Sequence, residues 1–320
     1  MPESWTLYLF LPGIILLIKG ADWLVDGSSS IAGKMGISQL VIGLTFVAFG
    51  TSAPELAVSS LASIAGNSGV ALGNILGSNI ANILFILGTA AVIYPLKVEK
   101  NTAFREIPFS MLAALVLAVL VNDVVIDGAS VAELTRSDGL IMLAFFTLFL
   151  YYVFSIAKNS KENEVDVADL TTSRAVIFII VGIAGLTFGG NLIVKAAVMM
   201  AESWGLSERI IGLTVVAIGT SLPELATSAV AAYKKNTDIA IGNVVGSNIF
   251  NIFWVLGIAA TIRPLPGEEG VNLDIGLVVL SSALLMGLLF FRKKHMLNRG
   301  HGILFLLLYF TYLTTLVVLR

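Results

Sequence analysis

The chain has 320 residues, of which 57% are hydrophobic and 12% charged, with a formal net charge of −2. Soluble domains carry about 25% charged residues, so a water-soluble globular fold is excluded, and the near-balanced charge leaves no basic face for nucleic acid. There is no cysteine, which removes disulfides, thiol catalysis and cysteine-held metal clusters. A bilayer core of about 30 Å needs about 20 mostly apolar residues per helix. In chain order, ten segments meet that requirement: 6–29, 37–65, 69–94, 107–122, 139–158, 174–200, 207–234, 238–262, 272–291 and 301–319. The first has Glu3 at its start, with no basic stretch before it and no small-residue cleavage site after it, so it is expected to remain as a membrane helix and not act as a signal peptide. His295 and His301 fall at or beyond the ends of the apolar runs, so no imidazole site can form inside them.

Lys and Arg in the loops set orientation. Thirteen of the 19 basic residues fall on one side, among them Lys97, Lys100, Lys158, Lys161, Lys234, Lys235 and the run Arg292-Lys293-Lys294, while Arg136, Arg209, Arg263 and Arg320 fall on the other. The richer side is expected to be cytoplasmic. The chain then reads as a multi-pass protein of the cell membrane with both termini extracellular and a cytoplasmic linker.

The sequence is also written twice. GLTFVAFGTSAPELAVSS, from Gly43 to Ser60, matches GLTVVAIGTSLPELATSA, from Gly212 to Ala229, at thirteen of eighteen positions. GNILGSNIANILFILG, from Gly73 to Gly88, matches GNVVGSNIFNIFWVLG, from Gly242 to Gly257, at ten of sixteen. Both pairs are offset by 169 residues, as are Gly13 and Gly182, and Gly20 and Gly189. Five spans per copy is an odd number, so the second copy enters the membrane from the opposite face. The expected fold is an all-α membrane protein of ten transmembrane helices in two inverted five-helix repeats, 1–157 and 174–320, joined by the short charged linker 158–173. Transporters built this way bind substrate near the bilayer midplane, where the repeats meet.

The polar residues inside the spans point to the chemistry. Glu55 and Glu224 lie mid-span at equivalent places, where a carboxylate costs about 3 kcal/mol or more and marks a functional site. Pro54 and Pro223 precede them and supply no N–H, which frees the carbonyls of Gly50 and Gly219 and splays those of Thr51 and Thr220. Freed backbone at that depth must be buried in protein or line a cavity. Asn74, Ser78 and Asn82 form a stripe at four-residue spacing, repeated as Asn243, Ser247 and Asn251. Ser78, Asn82, Ser247 and Asn251 read as ion ligands, whereas hydrogen bonding between helices is at least as good a role for Asn74 and Asn243. The neighbouring small residues Gly73, Gly77 and Ala81, and Gly242 and Gly246, suit close helix approach. Carboxylate, amide, hydroxyl and carbonyl oxygens without sulfur or imidazole suit Na+, Ca2+ or Mg2+, and flexible multi-oxygen coordination favours Ca2+. Lys19, Asp22 and Asp26 can share one face of the first span. They read as a local ion pair or as side chains snorkelling to the interface, with an entry gate as the functional alternative.

GTSAPE and GTSLPE, each followed by GNxxGSN in an inverted duplication, closely resemble the sodium/calcium exchangers of the calcium/cation antiporter superfamily, in the ten-helix prokaryotic layout. The resemblance implies four clustered cation sites. Glu55 and Glu224 would coordinate Ca2+ and share Na+, and Thr51 and Thr220 would add carbonyls. Ala48 with Ser52 and Ala217 with Ser221 would help form outer and inner Na+ sites together with Ser78 and Ser247, and Asn82 and Asn251 would lie at a middle site. The first and sixth spans would slide against the core. Some members carry aspartate at the position of Asn251; here both copies have asparagine, which leaves two formal negative charges. The implied function is antiport of Na+ for Ca2+, not catalysis, with no cofactor, no nucleic acid and no evident obligatory protein partner. The alternatives are a Ca2+/H+ or K+-dependent exchanger of the same superfamily, then an intramembrane enzyme or a channel.

Overall fold

The computed structural model describes residues 3–126, 128, 131–157, 170–203, 217–267, 270–290 and 295–319. In lipid every backbone N–H and C=O must be satisfied within the segment, which leaves helices as the form for long apolar runs. The chain runs through α1 (Glu3–Met35), α2 (Gln39–Thr51), α3 (Ala53–Ala65), α4 (Ser68–Ile93), α5 (Glu106–Leu120), α6 (Arg136–Ala157), α7 (Thr172–Ser203), α8 (Leu222–Tyr233), α9 (Thr237–Ile262), α10 (Val271–Phe290) and α11 (Arg299–Leu319). Among the described residues seven helices are long and apolar enough to cross a membrane, and α2 with α3 forms an eighth span bent by 47°. Residues 207–216, expected to open the seventh of the ten spans, lie outside the described residues, as do linker residues 158–169, Arg292-Lys293-Lys294, Arg209 and Arg320.

α4 and α9 are the most enclosed helices, with 78% of each apolar window buried. They lie beside each other and beside α3 and α8 at the centre. α1 and α7 pack together along their length through a glycine seam. A Cβ on Gly20 would come within 2.7 Å of Leu186 N, and one on Gly189 within 2.7 Å of Leu17 N. The contacts are reciprocal: Gly13 meets Gly189 and Gly20 meets Gly182, the self-complementary pattern of a two-fold relation.

Gly242 and Gly246 of α9 are closed against Leu40, Gly43, Leu44 and Ala48, as the small-residue stripe predicts. Among the described residues nothing lies within 4 Å of a Cβ built on Gly73 or Gly77. The segment equivalent to the one that covers α9 is 207–216.

Two minimal strand pairs depart from a purely helical chain. β1 (Leu96–Lys97) pairs antiparallel with β4 (Met296–Leu297), and β2 (Glu133–Leu134) with β3 (Leu265–Pro266). Each clasp ties a loop of the first half of the chain to a loop of the second.

Candidate metal-ion site

The sequence breaks its own helix where the site forms. Ser52 has φ −81° and ψ 6°, and Pro54 just beyond it offers no N–H to Gly50, so α2 and α3 meet at an elbow. Thr51 and Ser52 sit in that elbow and Glu55 in the first turn of α3. The second copy repeats the device. Ser221 has φ −87° and ψ 4°, Pro223 is the second residue of α8, and Glu224 follows in its first turn. A carboxylate in a helix's first turn faces the positive end of the helix dipole. α4 and α9 are loosened at the same level by π turns, Asn82–Ile86 and Phe250–Leu256, which hold Asn82 and Asn251. Such turns recur at functional sites.

These elements gather the carboxylates inside the molecule, both fully buried, and each is bound by its own half and by the other. Ser78 donates to Glu55 Oε1 at 3.3 Å, and Ser221 donates to the same oxygen at 3.4 Å. Ser247 donates to Glu224 Oε1 at 3.3 Å, and Ser52 donates to it at 3.1 Å. The paired hydroxyl oxygens lie close together, Ser52 Oγ 3.1 Å from Ser247 Oγ and Ser221 Oγ 3.0 Å from Ser78 Oγ. Thr51 donates to Asn243 Oδ1 at 3.0 Å, and Thr220 to Asn74 Oδ1 at 3.1 Å. Asn82 donates to Asn248 Oδ1 at 2.9 Å, and Asn251 to Asn79 Oδ1 at 3.0 Å. Each bond has its counterpart 169 residues away.

Among the described residues, four buried oxygens of this cluster are left over: Glu55 Oε2, Glu224 Oε2, Asn82 Oδ1 and Asn251 Oδ1 have no hydrogen-bond partner there. Buried acceptors are ordinarily satisfied, and one left alone costs about 1–3 kcal/mol, more when it is charged. The leftovers are two carboxylate and two amide oxygens from four helices, in two symmetric pairs. Hard cations with oxygen ligands answer that set. Among the described residues no group of three or more His, Asp and Glu side chains gathers, so the charge of the cluster is two carboxylates among neutral oxygens.

The site residues expected from sequence therefore converge, with two qualifications. Ala48 is buried, but its carbonyl already accepts from Ser52 N at 3.0 Å, and Thr51 Oγ1 lies 3.3 Å from it. Ala217 opens a four-residue helix, Ala217–Thr220, and its side chain lies outside the described residues. Asn74 and Asn243 take the hydrogen-bonding role, with Nδ2 donating to Ser59 at 3.1 Å and to Ser228 at 2.9 Å. Ser59, Ser228, Asn79 and Asn248 escaped the sequence reading although each pair keeps the 169-residue offset, a signal that would have found them. The Lys19 reading needs correction. Lys19 is exposed, and Asp22 and Asp26 are held by Lys234 at the end of α8, with its Nζ 2.6 Å from an oxygen of each. Nothing in the spacing of α1 could supply a partner from 208 residues away.

The model of the family described as sodium/calcium exchanger protein matches residues 5–155 and 174–318. The chain is 38% identical over 312 residues to the putative antiporter CaxA of Alkalimonas amylolytica, covering 94% of this chain and 95% of that one. It is 32% identical to the sodium/calcium exchanger MaX1 of Methanosarcina acetivorans, covering 96% and 97%. Among solved structures, the sodium-calcium exchanger NCX_Mj, soaked with 10 mM Na+ and 10 mM Sr2+, superposes with a TM-score of 0.84 at 34% identity over 99% of both chains.

Proposed function

This chain belongs to the sodium/calcium exchanger family of multi-pass membrane proteins, and we propose that it exchanges Na+ for Ca2+ by alternating access at the central oxygen cluster. In this reading the helices make ten spans, two inverted five-helix repeats at 1–157 and 174–320 joined by a cytoplasmic linker at 158–173. Both termini are extracellular. Glu55 and Glu224 hold Ca2+, helped by the carbonyls of Thr51 and Thr220. Ser52 and Ser247 on one side, and Ser221 and Ser78 on the other, take Na+, and Asn82 and Asn251 serve a middle site. Ala48 and Ala217 contribute backbone only. α1 and α7, joined by their glycine seam, move as one body past the core.

The observation that carries the reading is the set of four partnerless buried oxygens arranged as two symmetric pairs. Coupling follows from competition. Ca2+ and Na+ need the same two carboxylates, so one displaces the other and the fluxes are tied. With two negative charges, the Ca2+-loaded site is neutral and a site loaded with three Na+ carries one positive charge, so three-for-one exchange is electrogenic on the sodium limb.

The test is Ca2+ uptake into proteoliposomes under an outward Na+ gradient. Uptake should start with the gradient and stop when it is collapsed, with K+ absent and pH equal on both sides. Uptake that persists without Na+, or that runs on a pH gradient alone, would overturn the Na+ assignment. A requirement for K+ would replace it with the K+-dependent alternative.

A further inference from the structure

A cavity of about 510 Å³ lies between α4, α10 and α11, away from the ion cluster. Its walls are almost wholly hydrocarbon: Ile80, Leu84, Leu277, Leu280, Leu284 and Leu308. Leu280 and Leu308 are also exposed on the outer surface, so the cavity communicates with the lipid around α10. Apart from Ser281, midway along α10, its polar groups gather toward one end, with Asp274 in the first turn of α10 and Thr311, Tyr312 and Thr315 late in α11. The volume is within the ~300–1,000 Å³ of ordinary ligand sites.

The equivalent space in the first half of the chain is full. The buried faces of α5 and α10 superimpose with an offset of 168 residues, Ile107, Ser110 and Leu117 answering to Ile275, Val278 and Leu285. α6 and α11 superimpose with an offset of 163: Gly139 packs on Gly257 O as Gly302 packs on Gly88 O. On that correspondence Leu277 replaces Phe109, Leu308 replaces Phe145, Leu84 replaces Phe253, and Thr315 replaces Tyr152. In the first half these rings interlock, Phe109 on Phe253 at 5.9 Å and Phe145 on Phe253 at 5.2 Å between centroids. Tyr152 reaches across to hydrogen-bond Glu106, the counterpart of Asp274. The same scaffold thus encloses an aromatic plug in one half and a cavity in the other.

We propose that this cavity is a binding site for one acyl chain of a membrane phospholipid, tail against Leu84 and Leu284 and ester end toward Thr311 and Thr315. The bilayer core holds no water to fill an apolar space that opens onto it, and hydrocarbon from the surrounding bilayer is the occupant its walls and opening admit. Leu84 belongs to the π turn that begins at Asn82, so the bound chain braces the outer side of that turn.

The test is native mass spectrometry of the full-length protein, extracted in mild detergent from vesicles of phosphatidylethanolamine and phosphatidylglycerol. One phospholipid per chain should survive extraction. In L277F/L308F, which restores two rings of the plug, occupancy should fall by about tenfold or more, since each excluded methylene counts in full. T315Y, a gentler change at the polar end, should lower it in the same direction and covers the case in which the double variant does not fold. Absence of a retained phospholipid on the unaltered protein, or equal occupancy in the variants, would overturn the proposal. So would a dimer that the substitutions dissociate, because a second copy would then be the occupant.

Discussion

Two regions of this molecule treat its internal duplication differently. Around Glu55 and Glu224 the serine bonds to the carboxylates recur in both halves, with lengths that differ by no more than 0.3 Å between Ser52 to Glu224 at 3.1 Å and Ser221 to Glu55 at 3.4 Å. At the end of α8 they do not. Lys234 bridges Asp22 and Asp26 of α1, and the residues 169 positions away are Ala65, Asn191 and Lys195. Under the proposed alternating access, a site that opens in turn to both faces profits from ligands that look the same from either side. The contacts that set the relative population of the two states have no such reason to match, because an equilibrium shifts only through interactions that differ between its states.

The largest effect tests the symmetric region. Glu55→Gln and Glu224→Gln should each reduce Na+-driven Ca2+ flux below detection, a loss of about 100-fold or more, since removing a charge-assisted ligand and retaining its buried partner is costly on both counts. Detergent-purified protein should still elute as a single species. Flux in one variant exceeding the other by more than about tenfold would break the equivalence that the hydrogen bonds describe. Acidification acts on the same groups. Protons compete with cations for buried carboxylates, so uptake should slow as pH falls from mildly alkaline to mildly acidic. A flat rate over that range would count against the carboxylates as the shared ligands.

Next come the neutral ligands. Asn82→Ala and Asn251→Ala each remove one partnerless oxygen and one hydrogen bond to the opposite half. At about 1–2 kcal/mol per neutral contact, apparent affinity should weaken by roughly 5- to 30-fold, similarly in both. Asn251→Asp is the sharper probe, because it adds a third negative charge to one half alone. A site loaded with three Na+ becomes neutral and the Ca2+ form negative, so voltage dependence should move from the sodium limb to the calcium limb. Electrical recording on a supported membrane reads this directly.

What the sequence disclosed follows from the range of each signal. Glu55, Thr51, Ser78 and their counterparts were legible because buried polar residues are rare in apolar spans and here occur at a fixed offset. Equivalence is not contact, however. The offset pairs Ser52 with Ser221, whereas the fold sends Ser52 to Glu224 and Ser221 to Glu55, a crossing that only the packed halves reveal. The two-residue strands of the clasps are too short for a periodic pattern. The partner of Asp22 and Asp26 lies at Lys234, on a helix end where a basic residue reads as an orientation signal. Phe109, Phe145 and Phe253 looked like ordinary apolar span residues until the opposite half showed the same space without them.

The smallest expected effect concerns that one-sided bridge. The side chains of Lys234, Asp22 and Asp26 are 27%, 34% and 30% exposed, so solvent screens the pairing, and exposed pairs contribute about 0–1 kcal/mol. Lys234→Met therefore cannot abolish exchange; it can only re-weight the two access states, by up to about fivefold. If α1 and α7 move together, the bridge between α1 and α8 exists in this state and must part in the other. Its loss should then shift the apparent Ca2+ affinity in opposite directions on the two faces, in sidedness assays on oriented vesicles. High salt should shrink the difference between Lys234→Met and the unaltered protein, because screening already weakens the bridge. Equal shifts on both faces would mean that Lys234 acts on the cluster itself, and the division between a symmetric site and an asymmetric frame would fail at that point.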